Sequence, residues 1–402
     1  MKKILLFLCL NICFHSLMAQ QCLNEKEDFS THLFIQHLEK KILDFELQNA
    51  VYQRTTLTIS IVVHVVWYDD KDNISDAQII SQIKVLNQCF ADARNPDLVP
   101  KGFKNLIGKA DIQFCLATID PKGKATNGIE RSQTNLENIA STDAIYYGAK
   151  GGANAWNTNT YLNIWIATFA DKNIGYGSRP GTRPTTEDGI VISPTYFGNV
   201  GTAANNTGHQ LGATAVHEVG HYFNLKHIWG DGLCESSDCN DSDMVDDTPN
   251  QSTCQRGCPE PSYSDCDGTA MGINYMDYIN DDCMAMFTKG QVARMRASIF
   301  VARSGLLYSN ACQQAAVFQL STLEKLVVKT AFIENKMTVF VANTSESETP
   351  WQLLNLQGQL IQNGLLKNNQ DETLTINNLA KGIYLLGAKI DNKWIFKKVL
   401  YL

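Results

Sequence analysis

Residues 217–227 read HEVGHYFNLKH, and no other stretch constrains the fold of this 402-residue chain as tightly. On a helix, His217 and His221 are four apart, so they project from one face about a turn apart and present two imidazole nitrogens to a single metal. Glu218 falls beside the first of them, where it reaches a water at the metal rather than the metal itself. His227 stands six residues past His221, and a continuing helix would rotate it about 240° away. The chain must therefore turn sharply at Phe223 to Leu225, and Asn224 is the residue there that best tolerates, after Gly, the left-handed conformation. Three neutral His ligands leave zinc an open position, the arrangement of a catalytic rather than a structural site. Three unrelated histidines on a surface helix are the competing reading; with eight His in the chain, such spacing by coincidence is rare.

The surroundings suit an exported enzyme. The N-terminus has a Lys pair, an apolar run from Ile4 to Phe14 and a small residue at Ala19, which reads as a secretory signal peptide of residues 1–19. That run is too short for a stable membrane span, and nothing later approaches the roughly eighteen apolar residues a span requires. Ten cysteines remain after the signal, six of them between Cys234 and Cys283, and export favours disulfides over free thiols. The net charge of −7 is uneven: residues 231–282 hold thirteen Asp/Glu against one Arg, a local −12 that leaves the rest at +5. General nucleic-acid binding is therefore unattractive. An excess of oxygen ligands in an irregular Gly/Asp loop is instead what a calcium ion requires, with solvated negative charge as the alternative.

Around the motif the chain reads as α/β. A helical stretch over His32 to Leu47 precedes Leu57 to Trp67 (LTISIVVHVVW), β-branched enough to be a central buried strand, whose His64 reads as a core or strand-edge histidine rather than a catalytic one. Ser75 caps a helix running to about Phe90, and Ile112 to Thr118 and Leu162 to Phe169 add strands, which together predict a mixed sheet. After Cys312 there are no cysteines, and short alternating strands recur from Val327 to Leu400 between Asn/Gly/Asp turns. Six or seven such strands predict a small all-β sandwich. Downstream of the histidines, Asn274 to Tyr278 (NYMDY) offers Met276 as an apolar floor under three imidazoles and Tyr278 as a hydroxyl for an oxyanion.

HEVGHxxxLxH, DDTP at Asp246 to Pro249, NYMDY and FTKGQVARM at Phe287 to Met295 together resemble the pappalysin family of metzincin metalloproteases, more narrowly its bacterial secreted members, the cytophagalysins. The likeness spans roughly residues 57–300, including VVHVVW, DIQFCLA, TNGIER and YLNIWIA. It implies an α/β zincin domain with a mixed twisted sheet and an active-site helix, hydrolysing protein or peptide substrates. His217, His221 and His227 would bind zinc, Glu218 would act as general base and then acid, Met276 would be the Met-turn and Tyr278 the transition-state partner. The family's usual Gly is Asn224 here. Asp243 and Thr248 would be calcium ligands, with a backbone carbonyl near Asp246. One disulfide would join Cys234 or Cys239 to Cys266, and another Cys254 or Cys258 to Cys283.

The ending GIYLLGAKIDNKWIFKKVLYL resembles the C-terminal sorting domain of the type IX secretion system, which implies a partner in that machinery and a secreted or cell-surface protein. A carbohydrate-binding β-module would show more Tyr/Trp clustering than Trp351 and Trp394 provide. The expected layout is signal 1–19, pro-segment 20–53 laid over the cleft, protease domain 54–315 and sorting domain 322–402. Cys22 would either give zinc a temporary thiolate ligand or form an ordinary disulfide. By the resemblance to pappalysins, the residues past the Met-turn, Ile279 to Asp282, would wall the pocket for the side chain after the scissile bond. The resemblance singles out Asp281 there, so cleavage would fall before Arg and less often Lys; otherwise the Asp pair caps a turn or faces solvent. Gln53-Arg54 would then be the chain's own maturation site. An exported adhesion protein with an inert zincin fold is the rival class, and the presence of Glu218 argues against it, as His227 argues against a zinc amidase.

Overall fold

The computed structural model describes residues 29–48, 56–232, 234, 239–266, 268–309, 311–312 and most of 326–401. The signal peptide, Cys22 and the Gln53–Arg54 junction lie outside the described residues. The chain divides into two compact units, Met1–Gln314 and Ala315–Leu402.

In the first unit, β1 (Leu57–Trp67) is the central strand, as its β-branched run predicts. Along one edge its first half pairs in parallel with β2 (Ile112–Leu116) and its second half with β3 (Ile129–Gln133). The other edge continues in parallel through β4 (Leu162–Ile166) to β6 (Ile190–Ile192), and β5 (Gly175–Gly177) closes the sheet antiparallel to β6. The sheet is thus mixed. Side chains alternate across it: Ile59, Ile61, Val63 and Val65 join the main core with α2 (Asp76–Ala91) and α3 (Ala213–Tyr222), while Val66, Trp165 and Val191 pack with Tyr146 and Ile139. Ser75 caps α2 by accepting from the Gln78 amide. His64 is a core residue: its Nε2 lies 2.9 Å from Asn163 Oδ1 and its Nδ1 2.9 Å from Glu130 Oε2.

α4 (Lys289–Ala302) begins in a capping box between Thr288 and Gln291. Against it lies α1 (Phe29–Gln48), burying Leu38 and Ile42 on Ala297 and stacking Phe45 on Phe300 at 5.4 Å between ring centroids. The apolar face of α1 finds its complement there. Of residues 20–53 only α1 is described, and its Phe34, His37 and Lys41 line a cavity with Pro180, Arg183 and Arg303.

The cysteine-rich segment has little regular structure beyond a short antiparallel pair, β7 (Tyr263–Asp265) and β8 (Gly268–Ala270). Among the described residues four disulfides are present: Cys115–Cys312, Cys234–Cys254, Cys239–Cys266 and Cys258–Cys283. The last two fall within the expected alternatives. Cys89 is a buried free thiol.

The second unit is a small β-sandwich of two antiparallel sheets. One has the order β13 (Asp371–Ile376), β10 (Lys336–Asn343), β9 (Leu326–Ile333); the other β12 (Leu360–Leu366), β11 (Thr349–Asn355), β14 (Gly382–Ile390), β15 (Lys393–Tyr401). Trp351, Leu353, Leu366, Tyr384 and Leu386 are buried.

Candidate active site

All ten residues of α3 are buried, and its entry is built by neighbours rather than by its own cap. Gly212 precedes it at φ +76° with no side chain to offer, and the carboxylate of Asp281 accepts from the Leu211 and Ala213 amides at 2.9 and 3.1 Å. From α2, Gln82 Nε2 donates to the Gly212 carbonyl at 3.0 Å. An anion at the first turn is also favourable for the helix dipole.

The helix stops as the spacing requires. Asn224 takes φ +74°, its amide donates to His221 O, and the Leu225 amide returns to Gly220 O at 2.9 Å. The chain doubles back and brings His227 to the other two histidines. His221 Nε2 lies 3.0 Å from His217 Nε2 and 3.1 Å from His227 Nε2. Two nitrogens bound tetrahedrally to one zinc stand about 3.3–3.4 Å apart, given zinc–nitrogen distances of about 2.0–2.1 Å, so the three atoms fit one ion with little adjustment. The outer nitrogens are turned away: His217 Nδ1 donates to Tyr275 O and His221 Nδ1 to Leu225 O, each at 2.8 Å. Those bonds leave the Nε2 lone pairs for a metal. Burial pushes His217 down to about 4 and holds His221 and His227 well below the ordinary imidazole value, so all three are neutral near pH 7.

Met276 is buried against α3. A Cβ at Gly220 would come within 2.5 Å of its sulfur, so only glycine lets the methionine pass beneath the helix. The methionine turn is braced by α4: Asn274 Oδ1 accepts from the Met276 amide and from Gln291 Nε2, and Gln291 belongs to the α4 capping box. Tyr278 packs with its ring centroid 4.9 Å from His227 and 4.8 Å from Trp229. Trp229 lies flat on His227, 4.4 Å away and within 3° of parallel.

Glu218 is buried beside His217 in a pocket it shares with Tyr278, Asp281, His209, Thr214 and Met284. Edge strand β5 passes against it: a Cβ at Gly177 would meet the Glu218 carbonyl at 2.5 Å. Asp281 makes one of the contacts the sequence left open and lines the same pocket. Its Oδ2 caps α3, while Oδ1 has no hydrogen-bond partner and faces His209 Nδ1 at 3.7 Å. Asp282 is exposed and takes the Gln210 side-chain amide.

The acidic segment is less ready for a metal. Asp243 is buried and accepts from the Val245 amide and the Thr248 hydroxyl, and burial pushes its carboxyl up to about 7. Asp246 is exposed. Among the described residues the only other convergence of metal-ligating types is Cys239, Asp265 and Cys266, whose two sulfurs are joined to each other.

Sequence reading missed the supports of the site. Gln291 was visible as a T-x-x-Q capping box, and Trp229 as an aromatic two residues past the third histidine. The acceptors for His217 and His221 are backbone carbonyls and carry no sequence signal.

Comparison with known proteins agrees with this geometry. The family described as pregnancy-associated plasma protein-A matches residues 149–300, and that of secretion system C-terminal sorting domains matches residues 334–401. An extracellular metalloprotease of Arthroderma otae is 31% identical over 259 residues, which cover 62% of this chain and 80% of that protein. One from Aspergillus fumigatus is 34% identical over 59% of this chain and 73% of its own. Among solved structures, mature mirolysin of Tannerella forsythia in complex with a cleaved peptide is 44% identical, with a TM-score of 0.58 over 63% of this chain and 96% of that one. A promirolysin mutant from the same organism is 40% identical, with a TM-score of 0.59 over 70% of this chain and 96% of its own. Three converging imidazoles, the matched family segment and the matched tail lead to one conclusion: this chain is a secreted or cell-surface zinc metalloprotease of the pappalysin family, carrying a secretion-system C-terminal sorting domain.

Proposed function

We propose that the protein is an endopeptidase that cleaves on the amino side of Arg, and less readily Lys, with Glu218 as the group that moves the proton. The observation that carries the reading is the convergence of the His217, His221 and His227 Nε2 atoms beside buried Glu218 in one pocket. Zinc held by those three nitrogens supplies Lewis acidity to the attacking water and the scissile carbonyl. Glu218 accepts the proton of that water and passes it to the leaving amine, so no covalent enzyme intermediate is required. Tyr278, against His227, donates its hydroxyl to the oxyanion that develops on the carbonyl. The likeness to mirolysin bound to a cleaved peptide supports a peptide substrate.

Asp281 selects the residue after the scissile bond. Its Oδ1 is buried and without a hydrogen-bond partner in the same pocket as Glu218, a position suited to a guanidinium and less to an ammonium. Calcium binding near Asp243 and Thr248 fits a buried carboxylate whose ionisation is opposed by desolvation, a cost that a cation would offset. Residues 1–19 act as the signal, 20–53 as the pro-segment with Cys22 as a temporary zinc ligand, 54–315 as the protease domain, and 322–402 as the domain that engages the secretion machinery. Maturation falls at Gln53–Arg54, a site of the enzyme's own preference.

The deciding experiment is Glu218→Ala. Zinc should remain at one per chain while peptidase activity falls by roughly a thousandfold or more. Turnover near that of the parent protein would overturn the assignment of the base.

A further inference from the structure

The turn that delivers His227 is held from behind by α1. Both carboxylate oxygens of Glu39 accept from Nη2 of Arg294, at 2.7 Å each. Glu39 Oε1 also accepts from Asn224 Nδ2 at 3.0 Å, and Arg294 Nε donates to the Asn224 carbonyl at 2.9 Å. Glu39 and Arg294 therefore grip the side chain and the main chain of the one residue that stands left-handed between His221 and His227. A glycine there would adopt the same conformation and give Glu39 nothing to hold. The side chains of Arg294 and Glu39 are only 5% and 14% exposed, so solvent screens the pair little. The next residue, Leu225, carries the carbonyl that orients His221. A shift at Asn224 is thus passed to two zinc ligands.

We propose that Glu39 makes α1 a removable clamp on the 221–227 turn, so that the precursor holds its zinc-ligand geometry more tightly than the chain that has lost α1. Glu39 is a positioning residue, acting through Asn224 and Arg294 and touching neither metal nor substrate. The proposal rests on residues 20–53 being a pro-segment only for its consequence. The clamp itself is a property of the full chain, and loss of α1 would leave Arg294 without its carboxylate partner and weaken the hold on the turn as the enzyme matures.

The test compares Glu39→Gln with its parent in the full-length, zinc-loaded chain, both carrying Glu218→Ala so that neither processes itself. Gln keeps one acceptor oxygen and the shape of the side chain, so α1 stays folded on α4. Zinc transfer to an excess of 4-(2-pyridylazo)resorcinol should be roughly tenfold faster in the variant, the size expected for a charge-assisted hydrogen bond. Hydrogen exchange at the Asn224 and Leu225 amides should rise with it. Zinc release within about twofold of the parent would overturn the proposal, since the loss of such a bond predicts more. Faster release with unchanged protection at 224–225 would overturn it too, as would loosening confined to α1. Separately, N-terminal sequencing of the active wild-type enzyme shows whether α1 is removed. A mature chain that retains α1 would refute the pro-segment reading and leave the clamp comparison intact.

Discussion

Substituting Asn for Asp281 would separate the helix cap it makes from the selectivity proposed for it. Its Oδ2 accepts from the Leu211 and Ala213 amides, while Oδ1 sits buried without a hydrogen-bond partner, 3.7 Å from His209 Nδ1. The carboxamide introduced by Asp281→Asn would keep one oxygen, which the two helix amides would claim, and its NH2 group would then face the pocket. The capping job suffers only the loss of a charge at a helix N-terminus, about 0.3–1 kcal/mol, and up to ~2 kcal/mol in a partly buried setting. That cost lowers thermal stability and is shared by every substrate. The selectivity job loses a charge-assisted pair worth about 1.5–3 kcal/mol, and donors now oppose the donors of a guanidinium. At about 1.36 kcal/mol per decade, kcat/KM for an Arg peptide should fall about 10- to 150-fold relative to an otherwise identical Leu peptide. The assay uses quenched peptides differing only in the residue after the scissile bond, Arg, Lys or Leu, with wild type and Asp281→Asn. Taking the Arg-to-Leu ratio cancels any loss of folded enzyme. A ratio that stays within about threefold of wild type is smaller than one hydrogen bond and would refute the pocket assignment.

Calcium removal under conditions that spare zinc should lower the melting temperature by at least about 2 °C, and Asp243→Asn should abolish the response. The carboxyl of Asp243 is raised in the folded state to about 7, so calcium-free protein should lose stability as pH rises from near the ordinary carboxyl value through about 7; a calcium-free protein with a flat profile and an unchanged melting temperature would count against the site. Thiol titration of a chain beginning at Arg54 should find no reactive thiol when native and one after denaturation, because eight of its nine cysteines are paired and burial pushes Cys89 up to about 11. The active form should begin at or near Arg54, and Cys22→Ala should make the precursor prematurely active; a fully latent Cys22→Ala precursor would exclude the thiolate.

What was readable in the sequence is chemistry of short range. The helical spacing of His217 and His221, the need for a turn before His227 and the fitness of Asn224 for positive φ all depend on neighbours within a few residues, and each appears in the structure as expected. The same holds for the Ser75 cap and for β1, whose composition leaves no other place than the middle of a sheet. Elements defined by distant partners were not legible. β5 and β6 are three residues each and exist through pairing with one another and with β4. β12 (LIQNGLL) escapes because its apolar residues do not alternate, and Leu360, Ile361 and Leu365 remain exposed on it. The partner of α1 was not legible for a related reason: an amphipathic helix declares which of its faces is buried but not against what, and here the partner is α4. Cys115 and Cys312 are 197 residues apart, a separation at which spacing says nothing about pairing.

That same long-range bridge decides how the first unit would take a pull on its C-terminal end. A force entering beyond Gln314 would first reach Cys312, bonded covalently to Cys115 on β2, beside which the Ala311 carbonyl accepts from the Thr118 amide. It would then pass into the ladder between β2 and central strand β1 rather than along the backbone into α4, whose Arg294 reaches the turn at Asn224 and whose Gln291 braces the turn at Met276. In a reduced chain no cross-link would stand between such a pull and the end of α4.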